Sequence, residues 1–463
     1  MNESVRPGAV WCEQAWLGGS DGVKTGVRAE LDGNGVVARV TTGAEPREGD
    51  LTLHGVAFPA AANAHSHAFH RVLRGRTHAS GVGTFWTWRR EMYRAANALT
   101  PALYEELATA VYTEMVVTGW TSVAEFHYVH HRPDGSPYTA DDDGAHAMEH
   151  ALARAAVTAG IRLTLLDTCY LAGGFDEPTS PEQGRFSDGG AGAWLDRFTS
   201  LRKSIAGEFD PSLVSVGAAL HSVRAVPEEE LSLIAERLPR DVPLHIHLSE
   251  QKPENAACLA RTGLTPTGLL HKHGLVTDRL SAVHATHLTD EDIRTLGSAG
   301  ATVVMCPTTE ADLADGIGPA SALRGAGAQI ALGTDQHAVV DPWQEMRALE
   351  YGERFASGER GRFAPANLHF SASDAGSRSQ ARQFPGLEPG RVCDLMVLNP
   401  RSTRTAGSEP GQLAMTATAQ DVTAVVVGGR IIARGGVHTV LGDPADLLAA
   451  AIAKVGQAAK GAA

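Results

Sequence analysis

Eight short apolar runs recur along the chain, at 55–65, 121–126, 162–168, 215–221, 243–248, 280–285, 301–306 and 329–334. Between them the apolar positions return at three-to-four-residue spacing. PALYEELATAVYTEMVVTG (101–119), AMEHALARAAVTAG (147–160) and PEEELSLIAERL (227–238) show this pattern, as do DEDIRTLGSAG (290–300) and WQEMRALEYGERF (343–355). The first kind of pattern predicts strands and the second amphipathic helices. Strands that are apolar nearly throughout must be covered on both faces, which predicts a parallel sheet wrapped by helices. Eight such units over about 300 residues predict an α/β fold closed into a (β/α)8 TIM-type barrel.

The flanks differ in kind. Residues 9–54 are glycine-rich with short alternating runs (VKTGVRAEL, GVVARVTT), and 392–440 resume that pattern (VCDLMVLN, TAVVVGGRIIARGG). Neither flank holds enough apolar surface to bury a core alone. Together they predict a small β-sandwich formed by the two chain ends. The polar segment 357–391 reads as a connection with a short helix, and PADLLAAAIAKVGQAAKG as a terminal helix. The division expected is 1–54 for the first part of the sandwich, 55–370 for the barrel, and 371–463 for the second part with the C-terminal helix.

Composition narrows the classes of function. With 43% hydrophobic residues among 463, the chain has the makings of a core and is not a disordered one. Its 40 basic and 53 acidic side chains leave a formal charge of −13, and no basic stripe appears that could neutralise phosphates. No apolar run reaches the ~18 residues of a membrane span. The opening MNESVRPGAVWCEQAW lacks the basic and apolar regions of a signal peptide. Five scattered cysteines (Cys12, Cys169, Cys258, Cys306, Cys393) with no C-x-x-C suit reduced, buried thiols. These features predict a cytoplasmic protein with neither nucleic acid nor membrane as partner.

The histidines carry the chemistry. His65 and His67 stand two apart at the end of the first barrel run, so both side chains point the same way and can chelate one divalent metal. The fifth run ends HIHLSE. There His247, nearer the rim and in one turn with Glu250, is the third ligand expected, and His245, one pleat deeper, a core residue. The sixth run ends at His284, and the eighth runs into GTDQH, where Asp335 offers a hard oxygen. Three imidazoles and one carboxylate suit Zn²⁺, and also Fe²⁺ or Mn²⁺. Each group sits at the C-terminal end of its strand, where barrel active sites form. Chance placement on four separate strands is a poor rival. The fourth run ends AALHSVRAV, with His221 and Arg224 and no lysine to bridge a second ion in this site, so one metal is expected.

At these residues the sequence resembles the mononuclear deaminase branch of the amidohydrolase superfamily, and within it the formimidoylglutamate deiminase family of bacterial histidine degradation. The resemblance runs in order through HSHAFHR, FWTWRREMYR, TSVAEFHYVHH, LHSVRAV, PLHIHLSEQ, VHATHLT, CPTTEADLADGIGP, GTDQH and EMRALEYGERF, which covers residues 65–355. It implies that His65, His67, His247 and Asp335 hold one zinc per subunit, and that Glu250, His284 and Asp335 are the catalytic groups. It implies that Arg89, Tyr128 and Arg224 hold the carboxylates of N-formimino-L-glutamate, with His70 and His221 beside the substrate. Guanidinium forks give the bidentate recognition that such a dicarboxylate calls for. A homodimer is implied at the level of the family. The sequence departs from the family at His70, which replaces a glutamine, and at Thr334 and Gln336, which replace serines beside Asp335. Asp312 stands for an asparagine, and 357–391 lacks an Ala/Gly-rich helical stretch. Two other readings compete. One is a deaminase or hydrolase of guanine, aminopyrimidine or triazine type, disfavoured by two arginines. The other is a non-catalytic metal-binding barrel, disfavoured by the complete set of ligands and acid–base groups.

Overall fold

The structure is a computed structural model describing residues 7–19, 22–77, 85–139 and 144–461, without the side chains of 85–87. The first six residues, read above for a leader, lie outside the described set. Four strands come first: β1 (Ala9–Trp16), β2 (Val23–Leu31), β3 (Val37–Thr41) and β4 (Leu51–Pro59). The barrel opens with β5 (Ala61–Ser66), β6 (Trp120–His127), β7 (Arg162–Cys169) and β8 (Val214–Leu220). It continues with β9 (Leu244–Leu248), β10 (Leu280–His284), β11 (Thr302–Met305) and β12 (Gln329–Leu332). Then follow β13 (Leu395–Leu398), β14 (Val422–Val427), β15 (Arg430–Arg434) and β16 (Val437–His438). Strands β5 to β12 lie side by side in chain order and all parallel, as the eight apolar runs predict.

The helices between them start and stop where local chemistry dictates. Helix Pro101–Thr118 opens with the Thr100 side chain accepting from the Leu103 amide, and ends at Gly119 with φ 111°. Helix Pro342–Ser357 is capped by Asp341, which accepts from the amides of Trp343 and Gln344.

Strands β5 and β12 meet in a seam. The His65 carbonyl accepts from the amides of Thr334 and Asp335, both at 3.0 Å, and the His67 amide donates to the Asp335 carbonyl at 3.1 Å. Across the same seam the Asn63 amide group donates to Thr334 Oγ1 at 2.8 Å and accepts from the Thr334 amide at 3.1 Å. Gly333 sits so close to His65 that a Cβ would meet its backbone at 2.9 Å. The GTD sequence therefore serves closure as well as chemistry.

The apolar run over 55–65 is divided between two sheets. Its first half is the end of β4, and only its second half is barrel strand β5. The two chain ends form one mixed sheet in the order β16-β15-β14-β13-β4-β1-β2-β3. Side chains from its strands, among them Val10, Cys12, Val27, Leu53, Leu395 and Val426, meet in a core of their own. Arg162 of β7 ties the barrel to this sheet, donating to both Asp394 oxygens at 2.8 and 3.1 Å.

Segment 357–391 holds two helices rather than one, Pro365–Ala372 and Asp374–Ser379. The second plugs the N-terminal end of the barrel. The His245 Nε2–H donates to the Ser379 carbonyl at 2.8 Å, and the Gln380 side chain donates to the Asn63 carbonyl at 3.1 Å. At Gly376 an added Cβ would run into the Ala62 carbonyl. Gly376→Ala is expected to cost about 1–3 kcal/mol of stability, as overpacking does, read from urea denaturation; an unchanged midpoint would show that the plug gives way. Among the described residues no helix is long and apolar enough to cross a membrane.

Candidate metal centre and cleft

The C-terminal ends of the barrel strands converge on four buried groups. His67 Nε2 lies 3.3 Å from His247 Nε2, and His65 Nε2 lies 3.2 Å from the same atom. Asp335 Oδ1 lies 3.3 Å from His65 Nε2 and 3.5 Å from His67 Nε2. One donor atom from each falls within 4.8 Å of every other, the separation of ligands around a single ion. The first strand reaches this geometry through an irregularity. The β5–β6 register shifts between Asn63 and Ser66, and His67 lies one residue beyond the strand end. The H-x-H spacing thus works through a bent strand end rather than through regular alternation.

The rings are oriented from behind. His67 donates its Nδ1–H to the Phe126 carbonyl at 2.9 Å, and His247 donates its own to the His221 carbonyl at 2.9 Å. Each ring therefore turns an Nε2 lone pair to the centre, the arrangement that metal-binding histidines use. Burial holds all three imidazoles neutral, with pKa values below the usual range. Burial raises the Asp335 carboxyl, but its hydrogen bond and charge interaction with His65 outweigh that and bring it down to about 2. Neutral rings and an ionised carboxylate are the donor forms a divalent ion takes.

Backbone strain gathers at the same place. Ser249, His284, Ala285, Asp335 and His337 all have positive φ, between 42° and 67°. Each such non-glycine residue costs about 1–2 kcal/mol, so packing elsewhere must hold the strand ends in place. Glu125 does part of this: its carboxylate accepts from Ser66 Oγ at 2.7 Å and from the Ala68 amide at 2.6 Å.

Beside the four candidate ligands stand two further groups. His284 Nε2 lies 3.8 Å from Glu250 Oε1 and 3.9 Å from Asp335 Oδ2, and its Nδ1 lies 3.4 Å from Glu310 Oε1. Burial alone would lower its pKa, but the charges of Glu250, Asp335 and Glu310 outweigh it and push it up to about 10. Burial raises the Glu250 carboxyl above its ordinary value. A proton donor and a carboxylate thus face one space.

That space is a cleft lined by every candidate ligand, catalytic and substrate-binding residue named from the sequence except His65, which is fully buried. Arg89 and Arg224 both reach it, as do Tyr128, His70 and His221. Arg89 donates its Nε–H to Tyr93 Oη at 2.6 Å, and Arg224 Nε lies 3.9 Å from Glu254 Oε1. The departures from the family motif lean on one another. Gln336 donates to Asp312 Oδ2 at 2.8 Å and accepts from Trp88 Nε1 at 2.8 Å. His70 Nε2 lies 3.1 Å from Tyr128 Oη, and burial lowers its pKa to about 3, so the ring is neutral.

The structure adds wall residues that the sequence reading did not single out: Trp88, Met92, Tyr93, Tyr170, Phe186 and Leu313. Gln183, behind them, donates to both Tyr93 Oη at 2.8 Å and Tyr170 Oη at 2.6 Å. Tyr93 could have been found, since it follows Arg89 by one helical turn. Gln183 could not, because S-P-E-Q marks it only as the capping-box residue of the short helix Pro181–Phe186.

A model described as the amidohydrolase family matches residues 56–432. The chain is 34% identical over 444 residues to formimidoylglutamate deiminase of Pseudomonas aeruginosa, covering 93% of this chain and 95% of that protein. It is 29% identical to 8-oxoguanine deaminase of the same organism, covering 82% of each. Among solved structures, an amidohydrolase from Brucella melitensis superposes with a TM-score of 0.87 at 31% identity, covering 96% of this chain and 99% of that one. A zinc-bound adenosine deaminase from Xanthomonas campestris shares the fold, with a TM-score of 0.81 at 23% identity and 98% of each chain covered.

Proposed function

The chain belongs to the amidohydrolase family, and from that premise we propose that it is a zinc-dependent deiminase of histidine degradation. The reaction is N-formimino-L-glutamate plus water giving N-formyl-L-glutamate plus ammonia. At the coarser level it is a hydrolase acting on C–N bonds. The observation that carries the finer reading is the pair of arginines, Arg89 and Arg224, in the same cleft as the metal ligands of a chain with net charge −13. Cations gathered in an acidic protein argue for an anionic substrate, and two of them for a dicarboxylate.

The donor set fits a single ion, because three Nε2 atoms and one ionised oxygen converge, with the Nδ1 atoms of His67 and His247 held by backbone carbonyls. His65, His67, His247 and Asp335 would hold it. When bound, such an ion acidifies a water molecule and polarises the C=N carbon. Asp335 is placed to accept the proton of the attacking water through Oδ2, the oxygen nearer His284. Glu250 and His284 flank the reacting carbon and move a proton to the departing nitrogen, so that ammonia leaves from a tetrahedral carbon. Arg89, Arg224 and Tyr128 grip the glutamyl carboxylates, and His70 and His221 complete the wall. Their binding energy orients the reacting carbon. Arg224→Ala is expected to raise KM by about 10–100-fold, the worth of a charge-assisted hydrogen bond of about 1.5–3 kcal/mol. A wild-type KM would remove Arg224 from the carboxylate site.

A second reading has one observation in its favour. Trp88, Tyr93, Tyr128, Tyr170 and Phe186 line the cleft, and such walls also suit a flat heteroaromatic ring. The deciding experiment is ammonia release from N-formimino-L-glutamate by the zinc-loaded protein, run beside guanine, 8-oxoguanine, aminopyrimidine and triazine substrates. Ammonia together with N-formylglutamate, identified by mass spectrometry, is the expected result. Turnover of a heteroaromatic ring alone would replace this reading. A cytoplasmic homodimer accompanies the proposal, and sedimentation of the purified protein tests the dimer.

A further inference from the structure

The FHYVHH motif contributes Tyr128 to the cleft, but the proposed reaction uses neither His127 nor His130. Both point away from the metal centre into a buried polar cluster on the helix side of the barrel wall. His127 Nε2 lies 3.4 Å and His130 Nδ1 2.9 Å from the same oxygen, Glu149 Oε1, and donor atoms of the three residues fall within 4.8 Å of one another. Glu149 comes from helix Ala147–Ala159, so the cluster bridges β6, the turn after it and the helix packed outside.

Three features of this cluster call for a cation. First, His130 Nε2 lies 2.9 Å from the Thr168 carbonyl, which can only accept, so Nε2 carries a hydrogen. In the neutral ring Nδ1 then faces the Glu149 carboxylate with a lone pair, acceptor against acceptor. Second, neither ring nitrogen of His127 makes a hydrogen bond, nor does Glu149 Oε2, although all three atoms are buried. Polar groups with no partner in the interior are costly and rare. Third, the charges do not balance. Glu149, Asp167 and Asp188 present three carboxylates to one guanidinium, Arg197, whose contacts with Asp167 and Asp188 are 2.8 Å and with Glu149 3.3 Å. The other arginine nearby, Arg185, spends its donors on the carbonyls of Ala96, Leu99 and His131. Asp188 also meets His131 Nε2 at 3.0 Å; with the carboxylates ionised and the histidines neutral, the cluster is two positive charges short, the charge of one divalent ion.

We propose that His127, His130 and Glu149 form a second, structural metal site for a divalent transition ion of zinc type, separate from the catalytic one. Asp167 Oδ1 lies 3.6 Å from His130 Nδ1 but accepts from Arg197 at 2.8 Å, so it would have to share that contact to serve as a fourth donor. Two nitrogens and one or two carboxylate oxygens make a donor set that zinc accepts. The Thr168 carbonyl behind His130 is the outer-shell partner that such ligands use. The ion would lock the turn that carries Tyr128 against the helix layer. The competing way to supply two charges is protonation of two histidines among His127, His130 and His131.

The test uses the whole protein and reads metal rather than turnover. After dialysis against metal-free buffer, elemental analysis is expected to give two zinc ions per chain. Crystals grown with zinc should show an anomalous peak at the zinc edge between His127 Nε2, His130 Nδ1 and Glu149 Oε1. Glu149→Gln should lower the content from two to one, and Asp335→Asn should also leave one, at the other site. If Glu149→Gln does not fold, the anomalous map of the unaltered protein decides by itself. One zinc per chain with no peak at the cluster, together with imidazolium signals from two of its histidines in ¹⁵N spectra, would overturn the proposal. Neither result depends on which substrate the cleft takes.

Discussion

Asp335→Asn is expected to lower kcat by at least about 10⁴-fold, the largest effect of any single change in the cleft. The carboxylate has two duties in the proposed reaction. Through Oδ1, 3.3 Å from His65 Nε2 and 3.5 Å from His67 Nε2, it completes the ligand set. Through Oδ2 it faces His284 and takes up the proton of the attacking water. Asparagine keeps the shape but loses the negative charge and the basicity together, so affinity for the ion and proton transfer both fall. The measurement pairs single-turnover rates with zinc content at the catalytic site. Turnover within about tenfold of the unaltered protein would remove Asp335 from both roles.

Glu250→Gln ranks next, with an expected fall in kcat of about 10²–10⁴-fold, the range of general acid–base catalysis. Glu250 lies outside the four candidate ligands, 3.8 Å from His284 Nε2, and burial raises its carboxyl above the ordinary value; a carboxyl group so placed can both take and give a proton. The amide cannot do either. Zinc content should stay at the unaltered value and KM should move little, because Glu250 holds neither the ion nor the carboxylates. This split separates it from Asp335. A loss of zinc in parallel with kcat would make Glu250 a support of the metal centre instead.

Much of this was readable from the sequence, for a physical reason. Barrel strands are covered on both faces and their site residues stand at one end, so each of β5, β9, β10 and β12 announces itself as an apolar run ending in His or just before Asp. Tyr128 and Arg224 follow β6 and β8 in the same way. What was hidden depends on tertiary detail. The division of 55–65 between β4 and β5 leaves no mark in hydrophobicity, because both halves are buried in different sheets. The bend between Asn63 and Ser66 likewise leaves the H-x-H spacing unchanged. Glu125, Glu254 and Glu310 look like ordinary acidic residues until packing removes water from them. The Gln336–Asp312 pair joins the end of helix Pro307–Asp312 to the turn after β12, 24 residues on, a link that a local reading of either segment does not suggest.

The seam between β5 and β12 gives the metal centre a place in time. His65 stands on the first barrel strand and His67 just beyond its end, while Asp335 stands just after the last, so the four candidate ligands come together only once the ring is shut. A chain emerging from the ribosome holds His65, His67 and His247 long before residue 335 is made, and until then it can offer an ion no more than a partial grip. Contacts between residues so distant in sequence are the slowest to form. Occupancy of the proposed centre would therefore mark completed folding, and an ion bound by the closed ring alone would draw open chains toward closure by mass action.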